Sequence, residues 1–137
     1  MSLHNAIPAF PARDVAATAA FYRDRLGFEV AHQHEGFARL VRDDVELHLW
    51  ESGDDGWRSR ADFTDNPVCS GAETFIAGTS SCRVLVDDVD GLYDEMRTAG
   101  VLHYADPGSP TDTDFGTREF AVTDLDGNLI VFYLRRD

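Results

Sequence analysis

The chain has 137 residues and a formal net charge of −13, with 25 acidic residues against 12 basic ones. All the basic residues are arginine, which excludes Schiff-base chemistry on a lysine amine. An acidic chain without lysine also argues against a nucleic-acid partner, because phosphates demand a basic surface.

Hydrophobic content of 43% and aromatic content of 11% fit a soluble globular protein. No run reaches the ~18 apolar residues of a membrane span, so no membrane partner is expected. The start, Met1 to Phe10, lacks the basic and apolar regions of a signal peptide, and a cytoplasmic location is expected. Cys69 and Cys82 are 13 positions apart with no C-x-x-C pair, and are read as reduced thiols.

In chain order, Ala6–Phe10 reads as a short strand, with Pro8 marking an edge or bulge. Asp14 is a good N-cap for a helix over Val15–Arg25, and Gly27 stops it. Strands follow at Glu29–Gln33, Phe37–Val41 and Val45–Trp50, the last two joined by an acidic turn at 42–44. The stretch 51–79 carries turn residues and scattered Trp57, Phe63 and Phe75, and reads as a linker that folds partly over a cavity mouth. A strand at Cys82–Val86 then leads to a helix over Val89–Thr98, capped by Asp87 or Asp88 and ended by Gly100. Strands are expected at Val101–Tyr104, Arg118–Thr123 and Leu129–Leu134, with Asp126-Gly127 as a hairpin signal between the last two.

The second half repeats the first. Asp14-Val15, Phe21-Tyr22 and the Gly27 stop return as Asp88-Val89, Leu92-Tyr93 and the Gly100 stop, with an offset of 74 at the Asp-Val pair and 73 at the glycine. The expected fold is therefore α+β: one domain over 1–137, made of two βαβββ modules at 4–50 and 81–135 with a linker at 51–80. The modules would share a curved mixed sheet with helices outside and a cavity where the halves meet.

Strand alternation sorts the side chains. Val45, Leu47 and Leu49 form an apolar face, leaving Glu46, His48 and Trp50 on the other. Ile130, Phe132 and Leu134 oppose Leu129, Val131 and Tyr133, while Cys82, Val84 and Val86 oppose Ser81, Arg83 and Leu85. Glu46, His48, Trp50, Arg83 and Tyr133 should then line the cavity, a mixture suited to a small molecule. His48 alone reads as a hydrogen-bonded wall residue. Nucleophilic catalysis finds no evident relay around Ser80, Ser81 or Cys82. Asp124–Asn128 lacks the terminal glutamate of a calcium loop.

Taken together, the run from Ile7 to Val30 and the closing run from Gly116 to Arg135 resemble the vicinal-oxygen-chelate family, and the bleomycin-resistance branch most. Family enzymes such as glyoxalase I and the extradiol dioxygenases hold a divalent metal on the first and last strands of each module. The resemblance places those ligand positions at Ile7, His48, Ser81 and Val131, of which only His48 is a good ligand. It therefore implies a protein without metal or other cofactor that sequesters a bleomycin-like cationic antibiotic. Family members do this as homodimers, with the first strand exchanged and two grooves at the interface. Phe37, Trp50 and Phe115 would stack on planar drug rings, Phe115 standing where the resistance proteins carry a tryptophan. Two alternatives stay open: a module for another small molecule, and a metal-dependent enzyme centred on His48.

Overall fold

The computed structural model describes residues 1–52, 71–72 and 77–136. Cys69, Trp57, Phe63 and Phe75 of the expected linker lie outside these residues. The first module runs β1 Ala9–Ala12, α1 Val15–Arg25, β2 Glu29–His34, β3 Phe37–Arg42 and β4 Val45–Glu51. The second runs β5 Ser81–Leu85, α2 Val89–Ala99, β6 Thr111–Asp112, β7 Thr117–Thr123 and β8 Leu129–Arg135. Each module makes its own four-stranded mixed sheet, ordered β1-β4-β3-β2 and β5-β8-β7-β6. The α+β class and the two modules are as expected. The strands divide into two sheets, with no ladder joining β1–β4 to β5–β8.

The helices form where the capping residues put them. Asp14 accepts a hydrogen bond from the Ala17 N–H at 3.1 Å, and Asp88 accepts one from Gly91 N–H at 2.9 Å. α2 closes with Gly100 in the left-handed region at φ 74°, where its N–H reaches Arg97 O and the next N–H, of Val101, reaches Met96 O. Buried Val15, Ala19 and Tyr22 of α1 match Val89, Tyr93 and Met96 of α2 at one constant offset of 74 residues. Tyr22 thus corresponds to Met96, and the pairing of Tyr22 with Tyr93 read from the sequence is corrected. Both helices and the inner sheet faces enter one continuous core, including Phe10, Leu47 and Leu49 from one module and Phe120, Ile130 and Phe132 from the other.

Two strands are corrected. β1 lies at Ala9–Ala12 rather than Ala6–Phe10, because its parallel ladder with β4 runs from Ala9 opposite His48 to Ala12 opposite Glu51. Residues 1–7 are exposed. Val101–Tyr104 is not a strand. Only Leu102 bridges, to Val122, before the chain turns and Ala105 N–H bonds to His103 Nδ1. The edge is made instead by Thr111–Asp112 against Arg118 and Glu119.

The modules are joined by a buried polar junction. Asp124, 5% exposed, accepts from Tyr22 Oη at 2.9 Å, Asn128 Nδ2 at 3.1 Å and the N–H groups of Asp126 and Asn128 at 2.9 Å each. Asn128, fully buried, donates to Pro11 O at 2.9 Å. Asp126 takes bonds from Thr18 Oγ1 at 2.7 Å and Arg13 at 3.1 Å. The Asp124–Asn128 turn is therefore a clamp between module two and the start of α1.

Candidate functional site

Antiparallel pairing carries the outward side chains of module one into two rows. His34 faces Phe37 and Phe37 faces Trp50; His32 faces Arg39 and Arg39 faces His48. The rings meet along these rows. Phe37 lies 4.9 Å from Trp50 and 5.1 Å from His48, both edge-on, and 5.4 Å from His34 in a stacked pair. Beside them Glu46 accepts from His48 Nε2 at 2.7 Å and from Arg39 at 3.1 Å. The Arg39 bond, then the His48 bond, hold the Glu46 carboxyl below its ordinary range. Phe37, Glu46, His48 and Trp50 are half-buried, so the rings stay within reach of a ligand. This face carries a Glu46–Arg39 ion pair at one edge and aromatic rings at the other.

The outward face of module two carries a second group. Arg83 pairs with Glu119 and lies over the Tyr133 ring at 4.9 Å, with Arg135 at 5.8 Å from the same ring. Glu119 also accepts from Thr117 Oγ1 at 2.8 Å. Burial of Glu119 works against its ionisation, but the Arg83 and Thr117 bonds prevail and keep it below its ordinary range. A recess of about 270 Å³ beside Glu119 is bounded by His103, Asp106, Thr111 and Val131. Phe115 stands 66% exposed at the turn before β7, where Gly116 takes φ 89°.

The structure thus brings Phe37, Glu46, His48 and Trp50 into contact, and separately brings Arg83 to Tyr133. Among the described residues no hydrogen bond, ion pair or ring contact joins the two groups, and Phe115 makes none with either. The expected common wall within one chain is two faces on two sheets. Sequence reading missed His32, His34, Arg39 and Glu119. Each was legible as an outward position once strand register is known. Without the register, an arginine or histidine in a strand has no assigned neighbour.

The family's metal positions do not fit a metal. The pairs Ala9–His48 and Arg83–Val131 occupy corresponding ladder positions in the two sheets, so Val131 stands where a second histidine or carboxylate would be needed. Ile7, Ser81 and Val131 offer no strong ligand, and His48 spends Nε2 on Glu46. Among the described residues no three His, Cys, Asp or Glu side chains are grouped to hold an ion. Burial pushes the Cys82 thiol up to about 11, which keeps it protonated and unreactive at neutral pH. No helix among the described residues is long and apolar enough to cross a membrane.

Comparison with known proteins places these faces in context. The model of the Glyoxalase/Bleomycin resistance protein/Dioxygenase superfamily matches residues 6–132. A bleomycin resistance protein of Geobacillus stearothermophilus is 48% identical over 128 residues, covering 93% of each chain. One from Klebsiella pneumoniae is 29% identical over 129 residues, 91% of this chain and 87% of its own. Among solved structures, a bleomycin-binding protein complexed with bleomycin superposes with a TM-score of 0.70 at 25% identity, over 98% of this chain and 100% of its own. The bleomycin-binding protein of bleomycin-producing Streptomyces verticillus, complexed with copper(II)-bleomycin, gives 0.69 at 29% identity over 96% of both chains. With a matching family model along nearly its whole length and the same two-module fold, this chain belongs to the glyoxalase/bleomycin resistance protein/dioxygenase superfamily.

Proposed function

We propose that the protein binds and sequesters a bleomycin-type cationic glycopeptide in the cytoplasm, without chemical turnover, in grooves formed where two copies meet. The observation that carries this reading is the open cluster of Phe37, His34 and Trp50, in a chain related at 48% identity to bleomycin resistance proteins. Edge-on rings fixed against one another leave faces for planar heterocycles, and each such contact is worth on the order of a kcal/mol. The net charge of −13 draws a cationic drug inward. In a dimer the Arg83 and Tyr133 face of one subunit, with exposed Phe115 from the turn before β7, supplies the second wall to the ring face of its partner. Neither the donor set at Ile7, His48, Ser81 and Val131 nor the protonated Cys82 thiol supports catalysis.

Expression in a bleomycin-sensitive bacterial host tests the proposal. Protection is expected, with drug recovered from the denatured complex at unchanged mass. Absence of protection contradicts sequestration, and a drug of altered mass makes the protein an enzyme.

A further inference from the structure

A crevice of about 770 Å³ opens between the modules, with the β3–β4 turn on one side and β5, β8 and the start of α2 on the other, and it reaches the Arg83 face only at Leu85. Its floor is apolar: Phe28 and Val45 from module one, Val84, Leu92 and Phe132 from module two. Its rim holds five carboxylates, Asp43, Asp44, Asp87, Asp88 and Glu95, against one guanidinium, Arg42. Arg42 is already committed. It donates to both oxygens of Glu95 at 2.7 and 3.0 Å and to Leu26 O at 2.8 Å. Asp88 caps α2 through Gly91 N–H. Asp43, Asp44 and Asp87 are exposed and make no side-chain hydrogen bond or ion pair among the described residues. Among the described residues the rim therefore carries a clear excess of negative charge above an apolar floor, in a volume that suits a drug-sized molecule.

We infer that this crevice is a second small-molecule site, selective for cationic amphiphiles: compounds with an ammonium or amidinium group and an aromatic or alkyl body. The body would lie against Phe28, Leu92 and Phe132 while the cation sits among Asp43, Asp44 and Asp87. An anionic analogue of the same shape meets the same floor but a repelling rim, so charge decides the selectivity. The site shares no residue with the ring face proposed for bleomycin, so either assignment stands or fails without the other.

Dansylcadaverine, an aromatic amine with an ammonium tail, is a suitable probe, and a dansylated carboxylic acid of equal length is its control. The full chain should enhance dansylcadaverine fluorescence saturably and leave the acid unchanged. In the triple variant Asp43→Asn, Asp44→Asn, Asp87→Asn the affinity should fall at least tenfold, while bleomycin binding falls by a much smaller factor, through the loss of net charge alone. Asparagine suits the left-handed backbone of Asp43, at φ 51°, so the turn is kept. Trp50→Ala should leave dansylcadaverine binding unchanged. The inference is overturned if the triple variant binds the probe as well as the native chain, if the acid binds equally, if Trp50→Ala abolishes probe binding, or if no enhancement occurs at millimolar probe. It is also overturned if the triple variant changes the oligomeric state in sedimentation, since the crevice would then be an interface between copies.

Discussion

Trp50 and Phe37 hold each other at 4.9 Å on neighbouring strands, and His34 and His48 flank Phe37 on two further sides. Truncating either large ring removes stacking area and loosens the other. Trp50→Ala and Phe37→Ala should each weaken bleomycin binding by about 1–3 kcal/mol, read by fluorescence or calorimetry, with the circular dichroism spectrum unchanged. The alternation of β4 made Glu46, His48 and Trp50 legible from sequence. Arg39 and His34 were not, because their importance depends on which residue faces them across the ladder. At the junction, Asp124 lies above the ordinary aspartate range because burial outweighs the hydrogen bonds it accepts. A carboxyl raised in this way favours the fold when protonated. Its contribution is present below the unfolded pKa and is lost as pH rises through the folded value. Carboxyl-carbon NMR should give Asp124 a midpoint above about 3.9; a midpoint at or below that contradicts the assignment. Tyr22→Phe removes one donor from this buried carboxyl and should cost about 1–3 kcal/mol of stability in urea.

Elements were legible where local chemistry decides them. α1 spans the expected Val15–Arg25 because Asp14 caps it and apolar positions recur at helical spacing. α2 ends at Gly100, whose φ of 74° a residue with a side chain adopts only at a cost. Gly100→Ala should therefore lower stability by about 1–2 kcal/mol, measured by denaturant midpoint, with the fold retained. Strands were less legible, because partners far away in sequence set their limits. β1 begins at Ala9 since the ladder to β4 starts opposite His48. Val101–Tyr104 has the apolar pattern of a strand, but its ladder to β7 stops after Leu102. Thr111–Asp112 is too short and polar for any pattern, and only pairing with Arg118 and Glu119 makes it a strand.

For the whole molecule, the 74-residue echo between the Asp-Val caps was enough to foresee two modules. It did not reveal how they join. The Asp124, Asn128 and Tyr22 clamp links residues over 100 positions apart, which no local pattern records. Nor did alternation say that the ring face and the Arg83 face lie on different sheets. The proposed dimer brings those faces together. Leu85 is 58% exposed and Phe115 66%, apolar area that a second copy would cover. Sedimentation at micromolar concentration should give a dimer, and a monomer would remove the composite groove. Drug binding should weaken as ionic strength rises from about 0.01 to about 1 M, over which the screening length falls from about 30 to about 3 Å. Indifference to salt would remove the steering role of the acidic charge. The central claim is met most directly by calorimetric titration of the native protein with bleomycin. One drug molecule per chain, bound saturably, is the result expected. Absence of heat with about 100 µM drug, corresponding to about −5.5 kcal/mol or weaker, would contradict the account.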